Sequence, residues 1–349
     1  MASLDLSPLA AARYHGDQAV APGMLDFAVN VRHAQPPDWL VRRLAARLPD
    51  LASYPSVDDV HRAQDAVAER HNRARDEVLP LAGAAEGFAL LPNLRPGRAA
   101  VIAPAFTEPA LALTAAGVPV HHVVLDPPFG LDSALNTGAV PDDADVVVVG
   151  NPTNPTSVLH RREQILALRR PGRILVVDEA FADSVPGEPD SLAGDSLPDV
   201  LVLRSLTKTW SLAGLRVGYA LGSPDVLARL ITQRAHWAVG TLQLEAIAAC
   251  CVAEAVAEAA AGAVRLAALR AEMAAGLASV GADVVEGRAP FVLFSMRDAE
   301  DVRKSLLNKG IAVRRCDTFV GLDDHYLRAA VRAEWPLLVQ DIANDGRRR

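Results

Sequence analysis

The segment Val146-Val-Val-Val-Gly-Asn-Pro-Thr-Asn-Pro155 joins an unbroken β-branched run to a polar turn. A run of this length without polar alternation predicts a strand that is covered on both faces. Between residues 78 and 222, similar short runs alternate with Ala- and Leu-rich segments of helical character. Strands separated by helices predict a parallel or mostly parallel sheet with right-handed crossovers. The sequence therefore predicts an α/β fold built on a central sheet.

Beyond this sheet, the pattern predicts a second, smaller domain. The predicted strands of the sheet are Ala99–Ala103, Val118–Leu125, Asp145–Val149, Ile174–Asp178, Val200–Arg204 and Gly218–Leu221. A helical tract follows at Pro224–Val280, with a break near Trp237–Thr241. Short strands and one helix come last, at Asp283–Val285, Phe291–Met296, Glu300–Lys309, Ile311–Arg314 and Tyr326–Val331. We expect an N-terminal arm (residues 1–25), a large domain (26–235) and a small α+β domain (236–349).

The charge balance and the cysteines argue against several classes of protein. The chain has 349 residues, of which 35 are basic and 42 acidic, and this net charge of −7 does not favour a nucleic acid as partner. Three cysteines form neither a disulfide framework nor a metal-ligand spacing, so we expect no metal and a reducing, cytoplasmic location. The N-terminus lacks a signal peptide pattern, and the apolar stretch Ala246–Val264 contains Glu254 and Glu258, so we expect no membrane span.

Polar motifs follow three of the predicted strands. They are Gly150–Pro155, Asp178–Phe181 and Ser205–Lys208. In open α/β sheets, ligands bind beyond the carboxyl ends of the strands. We therefore expect the three motifs to face one cleft.

A phosphate site is predicted around Lys208. The hydroxyls of Ser205 and Thr207 flank this lysine, and Arg216 lies eight residues further on. Hydroxyl groups and a fork-shaped guanidinium together suit a phosphate. The segment Gly83-Ala-Ala-Glu-Gly87 opens a helix whose first N–H groups also suit an anion, although Gly–Ala turns open many helices without binding anything.

Several of these residues are also compatible with other roles. A carboxylate at the end of a strand, such as Asp178, could hold Mg²⁺, but the chain has no Gly-x-x-x-x-Gly-Lys-Ser/Thr run to accompany it. A metal site at His121, His122 and Asp126 is weak, because adjacent residues of a strand point to opposite faces. Phe106 is equally compatible with core packing and with stacking on a flat cofactor.

Three motifs in one order carry a resemblance to a known family. They are Asn151-Pro-Thr-Asn-Pro-Thr156, Asp178-Glu-Ala-Phe181 and Ser205-Leu-Thr-Lys208, the last followed after seven residues by Arg216. Over roughly Tyr14–Arg332, the chain resembles the fold-type I pyridoxal-phosphate enzymes, the aspartate aminotransferase superfamily. It is most similar to the branch that contains histidinol-phosphate aminotransferase and threonine-phosphate decarboxylase. The resemblance implies pyridoxal 5′-phosphate as cofactor and a large domain with a mostly parallel central sheet plus a small α+β domain.

The resemblance also implies roles for individual residues. Lys208 would carry the cofactor as a Schiff base, and Asp178 would keep its pyridine nitrogen protonated. The other implied cofactor contacts are Ala84, Ala85, Phe106, Asn154, Ser205, Thr207 and Arg216. Tyr54 would reach the cofactor phosphate of a neighbouring subunit, which implies a homodimer. Arg328 would bind the α-carboxylate of a small amino-acid or amino-phosphate substrate through two hydrogen bonds, with further substrate contacts from Asn30, Arg32, His33 and Arg314.

The choice of reaction rests on a few positions. Many aminotransferases of this branch have tyrosine where Phe181 stands, whereas the decarboxylases tend to carry Phe, a His-Gly pair such as His15-Gly16 and a block such as Arg314–Leu322. These features favour a threonine-phosphate decarboxylase of cobalamin biosynthesis. Arg32 and His33 depart from the Asn-x-Asn-Pro loop of that subgroup. The alternative is a histidinol-phosphate-type aminotransferase that uses 2-oxoglutarate, and a minor alternative is a non-catalytic binding protein on the same scaffold.

Overall fold

The computed structural model of the chain describes residues 16–346. Most of the predicted N-terminal arm, including Tyr14 and His15, lies outside the described residues, as do Arg347–Arg349. The described chain forms one large sheet of seven strands and two smaller sheets of four and two strands, with helices packed around them.

The large sheet has seven strands and is mostly parallel, as predicted. Its strands are β2 (Val78–Leu81), β3 (Ala99–Ala103), β4 (Val120–Val124), β5 (Val146–Gly150), β6 (Ile174–Asp178), β7 (Val200–Ser205) and β8 (Gly218–Leu221). They lie in the order β2-β8-β7-β6-β5-β3-β4, and within this sheet only β8 runs antiparallel to its neighbours. The prediction missed β2, because Pro80 interrupts its apolar run; β2 is an edge strand, where proline is tolerated.

The central strands are covered on both faces, which explains their unbroken apolar runs. In β5, Val147 and Val149 belong to one hydrophobic core, while Val146 and Val148 belong to a second core on the opposite face. The strand starts at Val146 and includes Gly150, one residue later at each end than predicted. Asp145 stays outside it and accepts a hydrogen bond from the backbone N–H of Gly97 at 2.6 Å.

Helices connect and cover these strands. They are α1 (Asp38–Ala45), α2 (Val57–His71), α3 (Ala84–Leu90), α4 (Glu108–Ala115), α5 (Asp132–Thr137), α6 (Arg162–Leu166), α7 (Pro224–Leu230), α8 (Thr241–Cys250), α9 (Ala253–Ser279), α10 (Ala299–Asn308) and α11 (Trp335–Gly346). The predicted tract Pro224–Val280 is thus three helices, with a break between α7 and α8 around Trp237.

Helix α8 packs with the large sheet although it follows the boundary expected at residue 235. Its residues Leu244 and Ile247 share a hydrophobic core with Val177 of β6. The assignment of domains by sequence position stays a prediction, and side-chain packing attaches this helix to the sheet. In the described part of the chain, no single helix is long and apolar enough to cross a membrane, although α8 and α9 together reach that length and composition across a bend of 70°.

The small domain contains two further sheets. Four antiparallel strands, in the order β12-β13-β10-β9, are β9 (Asp283–Val284), β10 (Phe291–Ser295), β12 (Arg314–Arg315) and β13 (Tyr326–Ala330). The predicted strand Ile311–Arg314 is in fact two, because Ile311–Ala312 (β11) pairs instead with β1 (Leu25–Asp26). The N-terminal segment therefore joins the small domain through β1.

Candidate active site

A cavity of about 470 Å³ opens at the carboxyl edge of the large sheet. Strand register explains why it collects the predicted motifs: Gly150 lies beside Asp178 in β5 and β6, and Ser205 lies beside Gly218 in β7 and β8. Its lining includes all predicted site residues except Tyr54, Arg32 and His33, namely Asn30, Ala84, Ala85, Phe106, Asn154, Asp178, Ser205, Thr207, Lys208, Arg216, Arg314 and Arg328.

Asp178 and Lys208 both face this cavity from neighbouring strand ends. Burial raises the pKa of the Asp178 carboxyl to about 6; the hydrogen bond from the Ala180 N–H, at 3.0 Å, and the charge of Lys208 oppose this rise. A buried carboxylate of raised pKa suits a cationic partner such as a protonated pyridine nitrogen. The pair therefore fits a bound pyridoxal phosphate.

The predicted phosphate site is assembled from two strand ends and the start of α3. The hydroxyls of Ser205 and Thr207 are hydrogen-bonded at 2.6 Å, and Arg216 lies on the exposed side. Gly83 has a φ of +81°, and a Cβ there would lie 3.2 Å from Nη2 of Arg216. Glycine at this position allows the guanidinium to approach the N-terminal turn of α3, where Ala84 lies.

Asn154 is held at the cavity by a rigid loop after β5. Within this loop, Thr153 Oγ1 donates to the Gly150 carbonyl at 2.7 Å, and the Asn151 side chain accepts from the His160 N–H at 2.8 Å. Burial lowers the pKa of His160 to about 4, so this histidine is neutral at physiological pH. The loop presents the amide of Asn154 to the cavity.

Two arginines lie side by side on the small-domain wall. Arg314 and Arg328 are register partners on β12 and β13, and both are buried. Arg328 donates from Nη1 to Asn154 Oδ1 at 2.5 Å and from Nη2 to the Ala28 carbonyl at 2.7 Å, while its buried Nε has no hydrogen-bond partner within residues 16–346. Among the described residues, no carboxylate lies within salt-bridge distance of Arg328. Burial lowers its pKa to about 10.

The segment from β1 to His33 connects this wall to the lysine. Phe27 exchanges backbone hydrogen bonds with Ala312 (2.8 Å) and Ala330 (2.7 Å) of the small domain. Further along, the Arg32 N–H donates to the Lys208 carbonyl at 3.2 Å, and the His33 N–H donates to Ser211 Oγ at 3.0 Å. We call residues 25–33 the bridging segment.

The structure does not bring Arg32, His33 or Tyr54 to the main cavity. Arg32 and His33 line a neighbouring cavity of about 340 Å³, and the Arg32 guanidinium packs so closely on α9 that a Cβ at Gly262 would overlap it. Tyr54 is 73% exposed and stacks on Trp237 with ring centroids 4.2 Å apart. Their predicted roles toward substrate and toward a neighbouring subunit stay predictions.

Some residues of the cavity were not predicted from the sequence. Glu108 begins α4 two residues after Phe106, and Phe319 stacks on the Arg314 guanidinium at 5.1 Å. Their positions in the sequence could have indicated them, since Glu108 lies in the turn after a predicted strand and Phe319 belongs to the Arg314–Leu322 block. Phe181 also lines the cavity and packs edge-on against Phe291, with centroids 5.0 Å apart.

Comparisons with known proteins agree with this geometry. A family model described as aminotransferase class I and II matches residues 22–336. The histidinol-phosphate aminotransferase of Mycobacterium tuberculosis is 78% identical over 348 residues, covering 100% of this chain and 94% of that protein. The threonine-phosphate decarboxylase of Salmonella typhimurium is 31% identical over 324 residues, covering 89% and 87%.

Solved structures show the same fold. The histidinol-phosphate aminotransferase of Clostridium acetobutylicum matches with a TM-score of 0.85 at 22% identity, covering 93% of this chain and 100% of that one. The L-threonine-O-3-phosphate decarboxylase of Porphyromonas gingivalis matches with a TM-score of 0.81 at 20% identity, covering 92% and 99%. The chain therefore belongs to the class I and II aminotransferases, a family of pyridoxal-phosphate enzymes.

Proposed function

We propose that this enzyme is a histidinol-phosphate aminotransferase, which moves an amino group between histidinol phosphate and 2-oxoglutarate. The observation that carries the proposal is Arg328, a buried guanidinium that meets no carboxylate among residues 16–346 and lies beside Arg314 in the cavity of Lys208. A buried cation without a counter-charge favours an acidic ligand. The name of the relatives at 78% identity supports the same substrate.

The same anion-binding site can hold one acidic group of the substrate in each half of such a reaction. Histidinol phosphate has a single acidic group, its phosphate, which two guanidiniums can bind through paired hydrogen bonds. In the return half, a carboxylate of 2-oxoglutarate takes the same place. The arginine pair on β12 and β13 thus orients either substrate with its reacting carbon near Lys208.

The other residues of the cavity have roles in binding the cofactor and in proton transfer. The bound cofactor supplies an electron sink for the substrate carbon. Asp178 would keep the ring nitrogen protonated, while Ser205, Thr207 and Arg216 would hold the phosphate of the cofactor. Lys208 would hold the aldehyde of the cofactor through Nζ, and the same amine would serve as the base that takes the proton from the reacting carbon.

Threonine-phosphate decarboxylation, favoured by the sequence, becomes the second candidate. Phe181 supports it, because this ring offers no hydroxyl to the cofactor. Threonine phosphate, however, carries a carboxylate as well as a phosphate and needs two anion sites. Apart from Arg216 on the cofactor side, the described cavity offers only the Arg314–Arg328 pair, and Arg32 lies on the neighbouring cavity. 2-Oxoglutarate also carries two acidic groups, so this count alone does not separate the two reactions. The relatives at 78% identity, which are named histidinol-phosphate aminotransferases, favour the aminotransferase.

The test compares both substrates on the cofactor-loaded protein. Histidinol phosphate with 2-oxoglutarate should yield glutamate, and threonine phosphate alone should release no CO₂. The Lys208→Ala variant, as the control, should give neither product. Release of CO₂ without glutamate would overturn the proposal in favour of the second candidate, and absence of both products would overturn both.

We also propose that the enzyme is a homodimer in which Tyr54 reaches the active site of the neighbouring subunit. Supporting this, Tyr54 is exposed, and so are apolar residues close to it in the sequence, namely Leu48, Leu51 and Val57. Mixing inactive Lys208→Ala protein with Tyr54→Ala protein tests it. If Tyr54 acts across the interface, hybrid dimers contain one complete site and recover activity; if it acts within one subunit, mixing recovers none.

A further inference from the structure

A network of five buried or half-buried charges lies directly behind the cavity, against β6 and β7. It consists of Arg70, Glu179, Asp183, Glu188 and Arg204. Arg204 Nη1 lies 2.9 Å from Glu179 Oε2 and 2.7 Å from Glu188 Oε2, and Nη2 bonds Asp183. Arg70 lies 2.8 Å from Asp183 and 3.2 Å from Glu188. The mechanism described above uses none of these side chains.

The network adjoins the two reacting residues through the covalent chain. Glu179 directly follows Asp178, and Arg204 directly precedes Ser205 in the turn to Lys208. The Glu179 N–H also donates to the Leu203 carbonyl at 2.9 Å, across the neighbouring strands. The Arg204–Glu179 pair therefore ties the carboxyl ends of β6 and β7 at the level where both catalytic side chains emerge.

Glu179 is held firmly enough to act as an anchor. Its side chain is fully buried, at 0% exposure. Oε2 accepts from Ser191 Oγ at 2.6 Å as well as from Arg204, and Oε1 accepts from the Leu192 N–H at 2.7 Å. Both carboxylate oxygens are thus hydrogen-bonded, so the side chain has one orientation.

We propose that Glu179 is a positioning residue, which acts with Arg204 to fix Asp178 and Lys208 relative to the cofactor ring. An ion pair that only stabilised the core could lie at any position in the sheet. In this pair, however, each residue is the direct sequence neighbour of a residue that lines the cavity. The net charge of the network also lies close to Asp178. Three carboxylates against two guanidiniums leave one negative charge in excess beside Asp178, if all five are ionised.

The electrostatic effect supports the geometric argument. After burial, the charge of Glu179 is a further cause that raises the pKa of Asp178. A neutral residue at 179 therefore changes both the position of the Asp178 carboxylate and its field at the ring nitrogen. The absorption of the bound cofactor reports on that nitrogen without any substrate present.

The test is the Glu179→Gln variant, which keeps the size of the side chain and removes its charge. In the cofactor-loaded protein without substrate, we expect the visible absorption band to shift and the dissociation constant of the cofactor to rise. We expect kcat to fall about 10- to 100-fold, as for other displacements of catalytic groups by a fraction of an ångström to an ångström, with a smaller change in KM.

The matched control is Glu77→Gln. Glu77 is also buried and bonded by an arginine, Arg73, at 3.0 and 3.1 Å, but it lies before the amino end of β2, away from the cavity. The Glu77→Gln variant should have a lower thermal stability than the parent and an unchanged absorption band of the cofactor. If the two variants lose stability equally and neither shifts the band, the role of Glu179 is structural and the proposal is overturned.

A milder variant keeps the proposal testable if Glu179→Gln does not fold. Ser191→Ala removes the 2.6 Å bond to Glu179, together with the longer bonds that Ser191 Oγ accepts from the Ala193 N–H and from Arg204. The bonds of Glu179 to Arg204 and to the Leu192 N–H stay in place. A smaller band shift in the same direction supports the proposal, and an unchanged band overturns it. The inference rests on the cofactor chemistry of the proposed function and not on its substrate. Because the band is recorded without substrate, a failure of the substrate assignment cannot be mistaken for a failure of this proposal.

Discussion

Two buried arginines of this enzyme have opposite surroundings. Arg204, which is 1% exposed, meets three carboxylates in the network behind the cavity. Arg328, which is 5% exposed, meets an amide oxygen and a carbonyl in the cavity wall. Burial alone lowers the pKa of each, but the nearby carboxylates raise that of Arg204 well above its ordinary value, while that of Arg328 falls to about 10.

The presence or absence of a neighbouring carboxylate distinguishes an arginine that stabilises the fold from one that is suited to bind a ligand. A buried guanidinium that is neutralised within the chain stabilises the fold and has no need of a ligand. A buried guanidinium without a carboxylate costs the fold stability and gains a counter-charge when an acidic substrate binds. The sequence presents both simply as arginines in apolar strands, and only the surroundings distinguish them.

The largest effect should come from Arg204→Gln. Removing this cation leaves Glu179, Asp183 and Glu188 with only Arg70 between them, so the free energy of unfolding should fall by about 3–5 kcal/mol. Urea unfolding of the cofactor-free protein measures this. A variant as stable as the parent would show that the network contributes nothing to the fold.

Arg328→Gln should have the reverse profile. We expect kcat/KM for the phosphorylated substrate to fall by about 100- to 1000-fold, since the lost interaction is charge-assisted and buried. The stability of the substrate-free protein should stay constant or rise, because an uncompensated charge has been removed. Steady-state kinetics and urea unfolding of one preparation test both parts. A stability loss as large as that of Arg204→Gln would contradict the comparison.

Asp178→Asn extends the comparison to a carboxylate. The pKa of Asp178 in the folded protein, about 6, lies above the ordinary value of 3.8, so its ionised form destabilises the folded, cofactor-free state. This cost grows as pH rises from about 4 to 6 and is constant above, reaching roughly 3 kcal/mol. The cofactor-free Asp178→Asn variant should therefore be more stable than the parent above about pH 6, by that amount, and lose the advantage below about pH 4. Its turnover should be lost.

Unfolding curves of the cofactor-free proteins at the two pH values check this. The Asp145→Asn variant is a suitable control, since Asp145 is exposed, lies at the opposite end of the strands and shows no such burial. An Asp178→Asn variant less stable than the parent at neutral pH would show that the carboxylate is already matched within the chain.

The smallest effect should separate charge from shape at the same site. Arg328→Lys keeps the charge but loses the fork that binds Asn154 and the substrate together, so kcat/KM should fall only about 10-fold. A loss equal to that of Arg328→Gln would show that geometry, and not charge, governs binding by the arginine pair.

The motifs at strand ends allowed most of the site to be predicted. Because parallel strands carry their carboxyl ends to one edge, Asp178, Asn154 and Lys208 converge once the sheet forms. Strand β2 was not predicted, because Pro80 interrupts its apolar run. Strand β11 was merged with β12 in the prediction, because its pairing with β1 is a contact between residues that are distant in sequence. Local sequence carries no record of such pairing.

Side-chain direction explains the remaining differences. The backbone N–H of Arg32 donates to the Lys208 carbonyl, but the side chain of Arg32 turns toward Gly262 of α9. Spacing along the chain does not specify this direction. The network of Arg204 and Glu179 was likewise not predicted, since each residue alone is compatible with an exposed position. Their partners come from a helix and a loop that are distant in sequence, at Arg70 and Glu188.

The bridging segment, residues 25–33, gives the two domains a mechanical connection. It is hydrogen-bonded to β11 and β13 at one end and to the carbonyl of Lys208 at the other, and the Arg328 guanidinium donates to its middle at Ala28. The position of the Arg328 guanidinium and that of the Lys208 backbone are therefore joined by one short peptide. Lengthening this peptide by one glycine would allow the two positions to vary independently.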